Sequence, residues 1–315
     1  MEGAHAPVVV VNPTASRLHD PERRRRIVDG VIGAVEARTG NQPIVVDTSP
    51  EHARETLAAA AAASAPLVAV VGGDGTIRET AAALSGTGVP IAIVPAGTGN
   101  VFAAALGVPR STSGAVGLIE TGRPAPVDIG RAAWGPVVNG VPGDEAGSHA
   151  FAVACGLGFD ARVMASATTD LKRRFGFGAY VVATLRQAAR LRPTRLRIEA
   201  DGEELDVRGL VVLIANCGQL IPGLVGPRQP IDPGDGLLDV FVVTAAGLRD
   251  GLAGATEALL ATGQSRRGRR FLRLRAARVR VVADPPEPIQ VDGDPHRADW
   301  LAATVQPGAV TVLRP

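Results

Sequence analysis

Lysine is almost absent. Of 33 lysines and arginines in the 315 residues, only Lys172 is a lysine. Aromatic residues are nearly as scarce at 3%, so the apolar mass must come from Ala, Val and Leu. The two cysteines, Cys155 and Cys217, are too few for a disulfide scaffold and fit a reducing compartment. The five histidines (His5, His19, His52, His149, His296) show no zinc-ligand spacing, which argues against a histidine metal centre. Long apolar runs are missing too. The stretches around 57–71 and 209–215 are short or broken by Ser and Pro, so no membrane span is expected. Residues 1–7 lack the basic start and apolar core of a signal peptide, and a cytoplasmic location is the expectation. A net charge of +2 gives no global field for nucleic acid, leaving only local arginine clusters at 23–26 and 266–280. No Walker A loop, Gly-x-Ser-x-Gly elbow or Cys/His catalytic pattern is present.

At this length two domains are expected. Apolar runs at 8–11, 42–47, 67–71 and 89–94 alternate with helical patterns at 21–38, 50–63, 77–84 and 100–106. That alternation implies a parallel sheet flanked by helices. In the helix at 21–38 the apolar face is Ile27, Val31, Ile32 and Val35. From about Val127 the texture changes to half-buried strands at 150–154, 196–200, 210–215, 238–244, 278–283 and 289–292, with helices at 178–191 and 248–262. The expected division is 1–126 as an α/β domain and 127–306 as a mostly antiparallel β-rich domain. Residues 307–315 form a tail with a short strand at 310–313 that can return to either.

The stretch around which the chain is organised is Val70-Val-Gly72-Gly73-Asp74-Gly75-Thr76, a buried strand running into a glycine turn. A second glycine loop, Pro95-Ala-Gly97-Thr98-Gly99-Asn100, closes the next strand. In open α/β sheets ligands bind at the carboxyl ends of the strands. Glycines permit positive φ and close backbone approach, and N–H groups there can cradle phosphate. Asn12-Pro13-Thr14-Ala15-Ser16 ends the first strand and adds hydroxyls to the same rim, though an ordinary strand-ending turn is an equal reading of that segment alone.

Acidic loops follow downstream. Asp232-Pro-Gly-Asp235-Gly-Leu237-Leu-Asp239 has the oxygen donors a hard cation takes, and also the composition of a plain turn. Asp292-Gly-Asp294-Pro reads most simply as a hairpin with two carboxylates. Lys172 stands at a helix start, able to meet phosphate or solvent. Backbone donors, a metal loop and a carboxylate to accept a proton are the parts of a phosphoryl-transfer site.

Gly72-Gly-Asp-Gly-Thr76 with Glu79, then Pro95-Ala-Gly-Thr-Gly-Asn100, resembles the catalytic domain of the diacylglycerol kinase and sphingosine kinase superfamily, nearest to its bacterial lipid kinases. The resemblance continues in order through Asn12-Pro13, Cys155-Gly-Leu-Gly-Phe-Asp160, Phe175-Gly with Tyr180, Asn216, Asp235-Gly-Leu-Leu-Asp239 and Val291-Asp-Gly-Asp-Pro295, nearly the whole chain. It implies an ATP-binding α/β domain and a β-sandwich-like domain. By this resemblance Asn12, Pro13, Thr14, Ala15, Ser16, Thr48, Gly72–Thr76, Glu79, Gly97, Thr98 and Asn100 belong to the ATP site. Asp232, Asp235 and the Leu237 carbonyl match a Mg²⁺ loop, and Lys172 a functional basic residue. The family's proton acceptor is a Glu at the position of Asp294, leaving Asp294, Asp292 and Asp74 as candidates here. Arg78 replaces a usual Asn, and Ala15-Ser16 a common Ser-Gly.

The activity so implied is transfer of the γ-phosphoryl group of ATP to a hydroxyl of diacylglycerol or a related lipid. The rivals are a NAD kinase-like phosphotransferase, which shares the first glycine turn, and a binding module without turnover. A lipid acceptor brings an anionic membrane surface as a peripheral partner, with Arg266, Arg267, Arg269, Arg270, Arg273 and Arg275 as candidate contacts, or else as charged protection of an edge strand. A homodimer is compatible with the sequence.

Overall fold

The computed structural model describes residues 6–47, 65–158, 193–218, 231–244 and 271–315. Thr48, Asp160, Lys172, Phe175, Tyr180, Arg266, Arg267, Arg269, Arg270 and the expected helices at 50–63, 178–191 and 248–262 lie outside the described residues.

The chain divides into two compact units. One holds the residues up to Ile129 with Asp232–Asp235 and Gln306–Pro315; the other holds Gly130–Ile231 and Gly236–Val305. The acidic segment Asp232–Asp235 thus belongs with the α/β unit, against its place in the sequence.

In the first unit, β1 (Val8–Val11), β2 (Ile44–Asp47), β3 (Val68–Gly72) and β4 (Pro90–Pro95) form a parallel sheet in the order β2-β1-β3-β4. Val8 faces Ile44 on one side and Val68 on the other, and Val68 faces Ile91. β1 and β3 are buried throughout and β4 nearly so, as strands covered on both faces must be. β2 is the edge, and its Ile44 and Val45 are exposed. On the other side Thr311 and Val312 pair in parallel with Pro90 and Ile91.

Helix α1 (Pro21–Thr39) starts where Asp20 accepts the Arg23 N–H at 2.6 Å, with proline in its first turn, and stops at Gly40 in the left-handed region, φ 71°. Its buried face is Ile27, Val31, Ala34 and Val35, each large side chain contributing about 1.5–3 kcal/mol. Ile32, expected in that face, is only half-buried, and Ala34 joins Ile27, Val31 and Val35 in the stripe instead. α2 (Asp74–Ala83), α3 (Val101–Ala105) and α4 (Thr112–Thr121) follow. Ser111 caps α4 by accepting the Gly114 N–H.

The second unit is antiparallel. β5 (Arg123–Gly135) enters it and pairs with β8 (Gly147–Phe151); between them β6 (Val137–Val138) and β7 (Val141–Pro142) make a small hairpin. β9 (Ala154–Gly158), β10 (Thr194–Ala200), β11 (Glu203–Ala215), β12 (Leu238–Thr244), β13 (Phe271–Ala276), β14 (Arg278–Asp284), β15 (Pro288–Val291), β16 (Asp294–Arg297) and β17 (Trp300–Arg314) complete it. The path runs β16-β15-β9-β11-β10-β14-β17, and β12 bridges β11 and β13. Alternate residues of β10, β11, β12 and β14, such as Leu196, Ile198, Val212, Ile214, Val240 and Val281, fill one core. Thus the α/β unit with a parallel sheet and the mostly antiparallel sandwich-like unit are both observed.

Several strands differ from their sequence reading, two of them instructively. The single strand expected at 150–154 is two, β8 and β9, separated by a bend at Ala152-Val153. The short strand expected at 310–313 is the end of fifteen-residue β17, which runs through Pro307-Gly308. Gly308 takes φ 58° there, and its N–H donates to Asp128 Oδ1 at 2.7 Å.

Candidate active site

β1, β3 and β4 run parallel side by side, so their last residues lie on one rim. Asn12 N–H donates to Val71 O, and Ala96 N–H to Gly72 O, carrying the pairing into the loops beyond. Gly73 is extended and caps α2, so Asp74-Gly75-Thr76 are the helix's first turn rather than a separate loop before a helix at Ile77. The helical ladder opens with Ile77 N–H donating to Gly73 O. The N–H groups of Gly75 and Thr76 precede it, and a helix start of this kind favours an anion.

The glycines here serve a different purpose from the one positive φ would suggest. None of Gly72, Gly73, Gly75, Gly97 and Gly99 has positive φ; in this stretch only Asn100 does, at 49°. What requires glycine is contact. A Cβ on Gly97 would lie 2.6 Å from Gly73 Cα, and one on Gly73 would lie 3.2 Å from Gly97 Cα. A Cβ on Gly99 would sit 2.9 Å from Asp74 Oδ2, and one on Gly72 2.7 Å from Thr76 Cβ. The two loops pack backbone on backbone. Gly75 is the exception: it is exposed, and a Cβ there would meet nothing within 4 Å.

Hydrogen bonds fix the polar rim. Asn12 Nδ2 donates to Thr76 Oγ1 at 2.8 Å, while Asn12 Oδ1 accepts from Thr14 N–H and from Thr14 Oγ1. Ser16 Oγ donates to Ala96 O at 3.3 Å, and Thr98 Oγ1 donates to Ser16 Oγ at 3.5 Å. Asn100 is buried; its Oδ1 accepts the Gly97 N–H and its Nδ2 donates to Gly97 O, holding the second loop closed. Pro13 and Ala15 shape the first turn, and the Ala15 side chain is buried in the core, so it offers no side chain to a ligand. Glu79 Oε1 accepts from Arg78 Nη2 at 3.1 Å.

Asp74 faces α3. Its Oδ1 accepts the Phe102 N–H at 3.2 Å, and the N–H groups of Val101 and Asn100 act on the same carboxylate. Burial raises its pKa, and those N–H groups partly offset the rise. Asp74 is therefore the tie between the two glycine loops.

In the second unit, β15 and β16 form a hairpin in which Val291 faces Asp294. Its two turn residues, Asp292 at φ 45° and Gly293 at φ 90°, have the left-handed backbone of a tight hairpin turn. Gly293 N–H donates to Gln290 Oε1. Asp294, just past the turn, is exposed. Asp292 is engaged by backbone: Oδ2 accepts from Ala152 N–H at 2.8 Å, and Oδ1 from Val153 and Ala154 N–H at 3.0 and 2.9 Å. Asn216, fully buried, holds the same bend from the other side, donating Nδ2 to Ala152 O and its N–H to Val153 O. The Cys155 thiol is pushed well above the usual thiol range by burial and then by Asp292, which rules it out as a ready nucleophile.

Asp232 and Asp235 are exposed, and Asp232 Oδ1 accepts the Gly234 N–H at 3.1 Å. Their loop is anchored by buried Asp128, whose N–H donates to Pro233 O at 2.7 Å, a residue the sequence reading passed over because no motif marks it. Two carboxylates and the Leu237 carbonyl are the hard oxygen donors that suit Mg²⁺. Among the described residues no three His, Cys, Asp or Glu side chains gather into a metal cluster.

Of the arginines considered for a membrane surface, Arg273 is buried. Its Nε meets Asp239 Oδ1 at 2.6 Å, and its guanidinium lies 5.4 Å from the Phe241 ring centroid. Arg275 reaches the other oxygen of Asp239 at 3.8 Å. Arg273 is thus the counterion of a buried carboxylate, not a headgroup contact. No helix among the described residues is long and apolar enough to cross a membrane.

Comparison with known proteins agrees with this arrangement. The diacylglycerol kinase catalytic domain matches residues 6–132, and the YegS C-terminal NAD kinase beta sandwich-like domain matches 153–314. A "probable lipid kinase YegS-like" protein of Pseudomonas aeruginosa is 29% identical over 302 residues, covering 95% of this chain and 93% of that one. Its namesake in Pseudomonas savastanoi is 31% identical over 268 residues, covering 84% and 80%. An uncharacterized Synechocystis protein is 31% identical over 226 residues, 71% of this chain, and this chain spans about half of it, 49%. The crystal structure of a diacylglycerol kinase from Bacillus anthracis superposes with a TM-score of 0.70 at 19% identity, covering 99% of this chain and 97% of that one, a likeness of fold. By both matched domains and these relatives, the chain belongs to the diacylglycerol kinase and YegS-like family of lipid kinases.

Proposed function

We propose that this protein transfers the γ-phosphoryl group of ATP to a hydroxyl of diacylglycerol or a closely related lipid. The observation that carries the reading is the Gly73–Gly97 backbone contact. It sets the N-terminus of α2, which carries the Thr76 hydroxyl, beside the hydroxyls of Ser16 and Thr98 in the loops beyond the parallel strands. Such a rim suits a polyphosphate: N–H groups and hydroxyls contact the oxygens, and Gly75 leaves the helix start bare so that a phosphate can approach the backbone.

In this reading Asn12 orients the Thr14 and Thr76 hydroxyls, and Asn100 holds the second loop in shape. Thr48, Glu79 and Lys172 keep their assignment to the nucleotide and phosphate on the strength of the resemblance. Asp294 accepts the proton of the lipid hydroxyl: it stands at the position of the family's proton-accepting Glu, and it is exposed just past the hairpin turn. Mg²⁺ bound by Asp232, Asp235 and the Leu237 carbonyl would supply fixed positive charge to that loop. The protein meets its lipid at a membrane surface on the cytoplasmic side.

Incubation with radiolabelled ATP and a panel of diacylglycerol, sphingosine, phosphatidylglycerol and NAD tests the reading. Label in a lipid product supports it. Label in NAD alone, or ATP binding without product, overturns it.

A further inference from the structure

Asp292 was one of three carboxylates able to serve as the proton acceptor, but its surroundings suit another task. Its backbone is left-handed at φ 45°, a conformation that usually calls for glycine or asparagine. The carboxylate leaves the turn and closes on the bend between β8 and β9, accepting the N–H groups of Ala152, Val153 and Ala154. Its own N–H donates back to Ala154 O at 2.8 Å. Four hydrogen bonds therefore join one turn residue to one bend. The bend is held from the opposite side by Asn216 and by the Cys217 Sγ contact to Ala152 O at 3.3 Å. A carboxylate with three N–H partners is among the firmer anchors available to a loop.

The hairpin has a second fixed point. The His296 ring of β16 lies against the Trp134 ring of β5, with centroids 4.2 Å apart. Asp294 stands between these anchors: one residue beyond the Asp292-Gly293 turn and two residues before His296.

We propose that Asp292 is a positioning residue, which holds the β15–β16 turn against the Ala152–Ala154 bend and so fixes where Asp294 presents its carboxylate. The inference rests on the reading of Asp294 as proton acceptor. Replacing Asp292 with Asn keeps one oxygen for the Val153 and Ala154 N–H groups but turns an amide donor toward the Ala152 N–H. Replacing it with Ala removes the anchor.

The test uses the full chain as wild type, Asp292→Asn, Asp292→Ala and Asp294→Ala. Each is assayed with ATP and diacylglycerol in mixed micelles, and each is also made in a Trp300→Phe background so that Trp134 alone emits. For Asp292→Asn the expected result is a kcat lower by about a hundredfold, the scale of a small misplacement. KM for ATP stays unchanged, and the acid limb of the pH–rate profile keeps its wild-type midpoint. Trp134 emission shifts in Asp292→Ala as His296 moves. Loss of the acid limb in Asp292→Asn, or activity as low as in Asp294→Ala, would make Asp292 the base and overturn the proposal. Wild-type kcat together with wild-type Trp134 emission would overturn it equally. If wild type phosphorylates no lipid, the proposed function fails. The emission then decides the anchor alone: a shift supports it and an unchanged spectrum refutes it. If Asp292→Ala does not fold, Asp292→Asn in the Trp300→Phe background carries the same comparison.

Discussion

Gly73 and Gly97 touch through their Cα atoms, so that a methyl group on Gly97 would overlap the neighbouring backbone at 2.6 Å. Everything on the rim depends on this approach, because it places the end of β3 and the end of β4 within reach of one ligand. The clashing atom is backbone and cannot swing aside. Gly97→Ala is expected to cost about 1–3 kcal/mol, as overpacking does, and to abolish ATP binding. Gly73→Ala, with a 3.2 Å contact, should cost less. Chemical denaturation and nucleotide titration of both variants check the order.

Gly75 gives the opposite expectation. With nothing within 4 Å of its Cβ position, Gly75→Ala should keep or raise stability, by up to about 1 kcal/mol for a helical site. If phosphate lies against that backbone, the same methyl group lowers ATP affinity. A variant as stable as wild type that binds ATP equally well would remove Gly75 from the site.

Much of this was legible in the sequence. The parallel strands announced themselves as apolar runs, and α1 by its apolar stripe; its Asp20 cap and Gly40 stop came from the structure. The glycine loops were found, but their reason was not: positive φ is a property of one residue, whereas the Gly73–Gly97 contact joins residues from different loops. Asp128 was missed for the same reason, since its partners Pro233 and Gly308 are remote in sequence. β17 looked short, confined to 310–313, because Pro307-Gly308 reads as a turn, and β11 looked short because residues 203–208 are mostly charged. Asp292 was read as a hairpin residue with a spare carboxylate; only the fold brings the Ala152–Ala154 bend to it.

Asp74 should make stability depend on pH. Its folded pKa is raised above the ordinary value of 3.8, chiefly by burial. The fold therefore favours the protonated form. The contribution of Asp74 is full below about 3.8 and is lost as pH rises through the raised value. Urea unfolding of wild type and Asp74→Asn across this range isolates the effect. The stability of wild type relative to the variant should fall as pH rises. A constant difference would contradict the assignment.

Asp239 and Arg273 form a buried pair, so removing one partner strands the other. Asp239→Asn is expected to cost about 3–5 kcal/mol in urea unfolding. Arg273→Gln should likewise lower stability while leaving co-sedimentation with anionic vesicles unchanged. Weaker vesicle binding at wild-type stability would return Arg273 to the membrane surface.

The central claim is phosphoryl transfer from ATP to a lipid hydroxyl, and its most direct measurement is the fate of γ-labelled phosphate. Wild-type protein given labelled ATP, Mg²⁺ and diacylglycerol micelles should place label in the chloroform-soluble product, and Asp294→Ala should not. Label that stays in ATP, or appears on NAD across the same panel, would contradict the account.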